Sequence, residues 1–191
     1  MITWALAVIA VAADPVDWPS YRAGMGRAGY SNQALSFSAT ETWRRDMPAP
    51  SPAWTSPAQR SYWQQLEGIL PRVTGDWANH PVVDESLVWL GSSADDTVRC
   101  LDAQTGELLW SFAADGPVRY APVLADGRLF FGSDDGSVYC VEAATGRLAW
   151  RERLGPRDWR IPGNGRMISL WPVRTGLVVD AGVVYAAAGL Y

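Results

Sequence analysis

The feature that most constrains this chain is an eleven-residue segment that occurs twice. Cys100–Trp110 reads CLDAQTGELLW and Cys140–Trp150 reads CVEAATGRLAW, so the two copies lie 40 residues apart. The hydrophobic segments upstream repeat as well, because Val88–Gly91 is matched by Leu129–Gly132. A period of this length indicates four-stranded units that stack against one another.

Each unit divides into four segments of β-forming residues separated by turn residues. The predicted strands are 82–84, 87–92, 97–103 and 107–112 in the first unit, 122–125, 128–133, 137–143 and 147–154 in the second, and 177–180 and 183–189 in a third. The turns agree with this division, because Asp135-Gly136 is favoured in hairpins and Gly106 and Gly146 supply left-handed residues.

Tryptophan is unusually frequent, with 11 residues among 191. We interpret most of these side chains as packing residues between sheets, because Trp110 and Trp150 occupy equivalent positions in the repeat. Sugar binding or contact with a membrane interface is the alternative. The hydrophobic fraction of 48% is enough for a packed core and excludes a disordered chain.

The two cysteines and the single histidine are predicted to be structural. Cys100 and Cys140 are equivalent in the repeat and therefore belong on neighbouring sheets, about 10 Å apart, beyond the roughly 7 Å that a disulfide spans. We expect two separate, buried thiols without metal-ligand spacing. His80 precedes Pro81 and is interpreted as a residue at the start of a strand rather than as a catalytic base.

Charge is segregated along the chain, although the net charge is only -4. Residues 76–142 contain twelve acidic residues and three arginines, whereas residues 147–174 contain seven arginines and two acidic residues. A nucleic-acid partner is not expected, because nucleic-acid-binding domains are far more basic.

Residues 1–13, MITWALAVIAVAA, carry no charge and end in small residues. This pattern is typical of an export signal and its cleavage site, and it predicts a location in the periplasm or cell envelope. An apolar start of a protein that is not exported is the alternative. The segment is shorter than the roughly 20 apolar residues that cross a bilayer, so no transmembrane segment is predicted.

Residues 14–78 are predicted to form an extended segment followed by a proline-rich linker. Asp17–Ser31 is rich in glycine, arginine and aromatic residues and shows no strand or helix period. Four prolines between residues 48 and 57 disfavour regular strands there. Between these stretches, Phe37–Arg45 alternates apolar and polar residues, so we interpret it as a lone outer strand that completes a sheet supplied by another part of the chain.

The repeated segments resemble the tryptophan-docking motif Ala-x-Asp-x-x-Thr-Gly-x-x-x-Trp of the quinoprotein, or PQQ-like, β-propeller family. The matching residues are Asp102, Thr105, Gly106 and Trp110 in the first copy and Thr145, Gly146 and Trp150 in the second. Cys100 and Cys140 replace the leading alanine, and Glu142 replaces the aspartate. The resemblance covers roughly residues 81–191 and implies that these residues join neighbouring blades.

The family fold is all-β, a propeller of about eight four-stranded antiparallel blades. At 40 residues a blade, this chain is expected to hold about two and a half of them, so residues 79–191 are predicted to be propeller repeats truncated at the C-terminus. The missing blades are expected from further chain or from a partner.

The resemblance implies three classes of function. A quinone-dependent alcohol or sugar dehydrogenase would need PQQ, calcium and a catalytic aspartate, and often has two adjacent cysteines. This sequence has no adjacent cysteines. The candidate calcium ligands Asp95, Asp96, Asp134 and Asp135 lie in short hairpin turns without the spacing of a dedicated calcium loop. We therefore predict no catalytic residue, metal or cofactor, and reserve PQQ and calcium for the dehydrogenase alternative.

The second class is a non-catalytic, exported binding or scaffold module, similar to propellers that assist outer-membrane β-barrel assembly, and this is the function we predict. Its partner would be a protein or another component of the cell envelope. The third class is an extracytoplasmic sensor domain of a larger protein.

The long connector at 155–175 holds the candidate ligand-binding residues. Arg157, Arg160, Asn164 and Arg166 supply hydrogen-bond donors suited to carboxylate or phosphate, and Trp159 supplies a stacking surface. The alternative is that these arginines pair with acidic turns of neighbouring blades.

Overall fold

The computed structural model describes residues 4–10, 18–23, 26–30, 40–48, 66, 80–163 and 166–189. The strands are β1 (Trp4–Ala10), β2 (Thr40–Met47), β3 (Val82–Asp84), β4 (Leu87–Ser92), β5 (Thr97–Asp102), β6 (Leu108–Ala113), β7 (Val123–Ala125), β8 (Arg128–Gly132), β9 (Ser137–Glu142), β10 (Leu148–Arg153), β11 (Arg160–Gly163), β12 (Arg166–Ser169), β13 (Val178–Asp180) and β14 (Val183–Tyr185). No helix within these ranges is long and apolar enough to cross a membrane.

Two four-stranded antiparallel sheets form the centre of the structure. Strands β3 to β6 pair in sequence order as blade 1, and β7 to β10 pair in the same way as blade 2. Strands β13 and β14 pair as the beginning of a third unit. The predicted all-β fold with four-stranded antiparallel blades is therefore confirmed, and the observed strand ends lie within two residues of the predicted ones in both complete blades.

Each blade has the same irregularity in its outermost strand. In blade 1 the register with β5 shifts so that Trp110 pairs with Cys100 and Leu108 pairs with Leu101. The same shift in blade 2 places Trp150 opposite Cys140. An extra residue of this kind bends a strand and increases its twist. The repeated cysteine is therefore the cross-strand partner of the repeated tryptophan in each blade, and both thiols are free and buried, as predicted.

The hydrophobic core lies between the sheets. One cluster joins the two blades through side chains such as Trp89, Val98, Leu129 and Phe131, all of which are buried. A second cluster joins blade 2 to β13, and a third places Trp43 of β2 against blade 1. The order of packed layers is therefore β2, blade 1, blade 2 and the third unit.

The N-terminal segment runs along the innermost strands of these layers. Trp18 exchanges two backbone hydrogen bonds with Val83 of β3, and the carbonyl of Pro19 accepts a hydrogen bond from Leu124 of β7. The Arg27 guanidinium then donates to the carbonyls of Gly176 and Leu177, just before β13. Trp18, Pro19 and Arg27 thus contact the inner edges of three successive units.

The antiparallel order places two kinds of loop at opposite ends of the blades. The turns β3–β4, β5–β6, β7–β8 and β9–β10 lie at one end, which we call the turn side. The hairpins β4–β5 and β8–β9 and the connectors between units lie at the other end, which we call the connector side.

Candidate functional site

The predicted motif residues of blade 1 form a tight turn between β5 and β6. The Asp102 carboxylate accepts hydrogen bonds from the backbone N–H groups of Gln104, at 2.9 Å, and Thr105, at 2.8 Å, and from the Thr105 hydroxyl at 3.1 Å. The N–H groups of Thr105 and Gln104 hold the pKa of Asp102 below its ordinary value. Gly106 has a φ of 72°, a conformation that other L-residues adopt only with strain.

Blade 2 builds the same turn with a different carboxylate. Gly146 has a φ of 71°, and the longer Glu142 side chain accepts hydrogen bonds from the Thr145 hydroxyl at 3.0 Å and from Arg147 Nε at 3.2 Å. The hydrogen bonds from Arg147 and then Thr145 lower the pKa of Glu142. Arg147 therefore accommodates the glutamate that replaces the motif aspartate at position 142. Blade 1 has Glu107 at the position equivalent to Arg147.

The outer-strand tryptophan of blade 1 contacts the turn of blade 2. Trp110 Nε1 donates to the carbonyl of Ala143 at 3.0 Å, and the same oxygen accepts a hydrogen bond from Trp89 Nε1 at 3.0 Å. The Trp110 ring lies flat enough on Gly146 that an added Cβ there would sit 2.5 Å from it. Glycine is required at this position for space as well as for its backbone angle.

Trp43 of β2 makes the equivalent contacts with blade 1. Its Nε1 donates to the carbonyl of Ala103 at 2.9 Å, and a Cβ at Gly106 would sit 2.5 Å from its ring. Ala103 and Gly106 precede Ala143 and Gly146 by one repeat of 40 residues. Trp150, by contrast, is partly buried against Phe130, with ring centroids 5.9 Å apart, and against the third unit.

The predicted ligand-binding residues do not converge on one point. Arg166 crosses to the β4–β5 hairpin of blade 1, where it pairs with Asp96 and donates to the carbonyl of Ala94 at 2.6 Å. Arg160 Nε lies 3.3 Å from the carboxylate of Asp158. Asn164 lies outside the described residues. The ion pair of Arg166 corresponds to the alternative prediction for this residue, namely pairing with an acidic turn.

The structure does bring Arg157 and Trp159 together. The Arg157 guanidinium carbon lies 5.2 Å from the centre of the Trp159 ring, above its face. Trp159 in turn packs against Trp171, with ring centroids 5.9 Å apart. One face of Trp159 is therefore covered by an arginine of its own connector rather than left open as a stacking surface.

The connector between β10 and β13 contains a two-stranded hairpin, which sequence reasoning missed. Strands β11 and β12 pair directly, and Leu170 N–H donates to the carbonyl of Trp159 at 2.8 Å. The sequence signal was the Asn164-Gly165 dipeptide between the two strands, which is among the strongest two-residue hairpin signals. Ser169 N–H donates to the carbonyl of Asp134 at 2.8 Å, so the hairpin lies on blade 2.

The considered calcium ligands are engaged by other side chains. The buried carboxylate of Asp134 accepts hydrogen bonds from Arg119 Nε at 2.7 Å and from Arg174 Nε and Nη2, both at 2.8 Å. The buried carboxylate of Asp135 pairs with Arg151, 2.7 Å away, and with the Tyr139 hydroxyl. Burial and then this hydrogen bond raise the pKa of Tyr139.

The carboxylates of the β4–β5 hairpin are engaged in the same way. Asp95 pairs with Arg99, and Asp96 pairs with Arg166. Burial raises the pKa of Asp96, although the Arg166 charge opposes this shift. Within the described ranges, no group of three or more His, Cys, Asp or Glu side chains is arranged to hold a metal ion. These four aspartates therefore do not fit a calcium site.

A second repeated signal, also missed from the sequence, explains the two arginines on Asp134. Pro117-Val118-Arg119 recurs as Pro172-Val173-Arg174, at the end of each connector. Val118 packs so closely on Gly91 that an added Cβ would lie 2.7 Å from it, and Val173 packs on Gly132 in the same way. The tripeptide thus anchors each connector on the preceding blade and directs both arginines to one buried carboxylate.

A comparison with known families finds a model that matches most of the chain. The family model described as "Outer membrane protein assembly factor BamB" matches residues 34–179. A comparison with curated proteins finds no significant match.

Solved structures share the fold at low sequence identity. BamB from Moraxella catarrhalis superimposes with a TM-score of 0.52 at 18% identity, over 79% of this chain and 38% of that one. Quinohemoprotein alcohol dehydrogenase from Comamonas testosteroni superimposes with a TM-score of 0.62 at 18% identity, over 93% of this chain and 24% of that one. The chain therefore spans well under half the length of either protein. The family match covers most of the sequence, and both solved structures share the blade architecture. The chain therefore belongs to the PQQ-like β-propeller family whose model carries the BamB description, as the repeats predicted.

Proposed function

We propose that the chain is a non-catalytic, exported propeller that acts as a binding or scaffold module in the assembly of outer-membrane proteins. The family description supports this role. The observation that carries it is the state of the carboxylates on the connector side, where Asp134 binds two arginines and Asp135 binds Arg151 and Tyr139. Carboxylates neutralised in this way stabilise loops and are poorly suited to act as metal ligands or general bases.

The motif residues have a structural role in this proposal. Asp102, Thr105 and Gly106, with Thr145 and Gly146, shape turns whose glycine and carbonyl receive the tryptophan of the preceding layer. Trp110 is the docking side chain between blades 1 and 2, and Trp150 is proposed to dock in the same way on the next blade. These contacts fix the angle between blades and hold the connector side in a defined shape.

Export is the second part of the proposal. Residues 1–13 have the composition of an export signal, and cleavage after Ala13 would remove β1. Strand β2 would remain attached, because the indole of its Trp43 is hydrogen bonded to Ala103 of blade 1. Mass spectrometry of the protein from periplasmic extracts should find an N-terminus close to Asp14, and an intact Met1 there would contradict the signal.

The experiment that tests the function is disruption of the gene in its own host, followed by quantification of folded outer-membrane proteins. Their levels are expected to fall and to recover when the full chain is supplied from a plasmid. Unchanged levels in the disrupted strain would contradict the proposed role.

The alternative function is a quinone-dependent alcohol dehydrogenase, which the structural likeness to the Comamonas enzyme favours. It is tested by adding PQQ and Ca²⁺ to the purified full chain and measuring dye-linked oxidation of alcohols. Turnover above the cofactor-only control would replace the scaffold proposal.

A further inference from the structure

Two exposed side chains, Arg157 and Trp159, lie directly before the β11–β12 hairpin. We call this pair the hairpin patch, because the Arg157 guanidinium lies over the Trp159 ring. Trp159 is 52% exposed, so about half of this residue is open to a partner. Arg160, Pro162 and Met167 are exposed as well, on the opposite face of the hairpin by strand alternation.

Arg157 gives the patch a cation with available donors. Its guanidinium carbon lies 5.2 Å from the centre of the Trp159 ring, over its face, and within the part of the chain that the structure describes no carboxylate lies within ion-pair distance of it. A guanidinium over an aromatic ring keeps N–H groups that can bind a carboxylate in a bidentate manner.

Each edge of the hairpin has one feature that disfavours strand addition. On the β12 edge, Ser169 N–H is already bonded to the carbonyl of Asp134. On the β11 edge, Pro162 has no N–H to donate, and proline is a common means of protecting an edge strand. These features favour a partner that contacts the hairpin through side chains over one that extends its sheet.

The hairpin is held in one position by contacts at both ends. Arg166 fastens its tip side to Asp96 and Ala94 of blade 1. At its base, Trp171 packs on Gly155, where an added Cβ would lie 2.9 Å from the ring. A surface fixed before binding loses less conformational entropy when a partner docks, which favours affinity.

We propose that the hairpin patch binds an acidic segment of a partner protein that also carries a large apolar side chain. A carboxylate of the partner pairs with Arg157, and its apolar side chain packs on the exposed part of Trp159. Tryptophan and arginine are enriched in protein interfaces and dominate their binding energy. This inference rests on the proposed scaffold function and identifies the part of the molecule that carries it.

The charges favour a protein over an anionic lipid surface. Asp158 lies between Arg153 and Arg160, 3.3 Å from each, so the patch and its flank carry three arginines and one aspartate. Lipid recognition by charge alone uses clusters of about four to eight basic residues.

The test uses the full chain and a fluorescent peptide of alternating glutamate and leucine residues. We expect saturable binding by anisotropy that weakens as salt rises. Arg157→Gln and Trp159→Ala should each lower the affinity at least tenfold, and a peptide with glutamine in place of glutamate should bind at least tenfold more weakly. Arg147→Gln is the matched control, because Arg147 is exposed on the turn side and pairs with Glu142, and it should leave binding unchanged.

Several outcomes would overturn the inference. Equal binding of the glutamine peptide would show that the partner's carboxylates are not recognised. Unchanged affinity in both patch variants would show that the peptide does not bind at the hairpin patch. Binding to phosphatidylglycerol vesicles without binding to the peptide would identify a membrane surface instead. Self-association in sedimentation that both patch variants abolish would identify a second copy of the chain. Circular dichroism of each variant checks that the fold is intact.

Complementation separates this inference from the proposed function. If the wild-type chain restores outer-membrane protein levels and the double variant Arg157→Gln/Trp159→Ala restores them equally, the scaffold function stands and the patch inference is wrong. If the wild-type chain restores nothing, the proposed function is wrong, and the peptide measurements alone decide whether the patch binds acidic segments.

Discussion

The turn side and the connector side of the blades differ in how closely their repeats match. On the turn side, Gly106 and Gly146 have φ angles of 72° and 71°, and each receives a tryptophan ring from the preceding layer. On the connector side, the two connectors share only their Pro-Val-Arg ends, and the second one adds the β11–β12 hairpin. Contacts between layers constrain the turn side, whereas an inserted hairpin on the surface is free to acquire a binding role.

The largest effect is expected from Asp134→Ala. This change leaves the partly buried Arg119 and Arg174 guanidinium groups without their shared carboxylate, and removing one partner of a buried ion pair typically costs about 3–5 kcal/mol. The free energy of unfolding from urea titration measures the loss. The control is Asp158→Ala on the hairpin, whose exposed carboxylate also lies near two arginines and should change stability by less than about 1 kcal/mol. Equal losses would erase the distinction between the buried and exposed clusters.

The turn side is tested by Trp110→Ala. Removing the ring leaves a gap over Gly146 and removes one hydrogen bond to Ala143, at an expected cost of about 3 kcal/mol. Thermal unfolding measures the shift. Trp159→Ala on the hairpin serves as the comparison and should cost less than about 1 kcal/mol, because a surface side chain loses little burial. An unchanged midpoint for Trp110→Ala would argue against its proposed docking role.

A smaller effect is expected from Gly132→Ala, which tests the anchor of the second connector. The added methyl group would overlap the Val173 side chain, and overpacking of this kind costs about 1–3 kcal/mol. Adding Val173→Ala should recover part of the stability, because it provides room for the methyl group. Gly26→Ala, where an added Cβ meets no atom within 4 Å, should be close to neutral. Failure of the double variant to recover any stability would show that the contact with Val173 is not the cause.

The smallest effect concerns pH and the motif turn of blade 1. The backbone N–H groups of Thr105 and Gln104 lower the pKa of Asp102 in the folded state, so the charged carboxylate stabilises the fold above the ordinary aspartate pKa, near 4. That contribution is lost as the pH falls through the lowered folded value. Asp102→Asn should therefore be less stable than the wild type at pH 7 and approach it at pH 2 to 3 in urea titrations. A stability difference that does not change with pH would contradict this assignment.

Much of the fold could be predicted because its strongest signals are local and repeated. The strand positions follow from β-forming segments between Asp-Gly and Thr-Gly turns, and the 40-residue period indicates how many strands form one unit. The buried, unpaired state of Cys100 and Cys140 follows from the same period.

The β11–β12 hairpin also has a local sequence signal, because Asn164-Gly165 separates its two strands. Each strand has only four residues, however, which is too short to show a clear strand period. The binding of Arg119 and Arg174 to the same carboxylate, Asp134, was harder to predict from the sequence. Its signal, Pro-Val-Arg, recurs after 55 residues and not after the 40 residues of the blade period.

The sequence by itself determined the blades, their turns and the family, because backbone angles and alternating burial depend on neighbouring residues. Only the tertiary structure decided the roles of the charged side chains. Arg166 reaches Asp96 across 70 positions of the chain, whereas Arg157 stacks on a tryptophan two residues away. An arginine side chain is long and flexible, so its partner depends on which carboxylate the packed blades bring within reach.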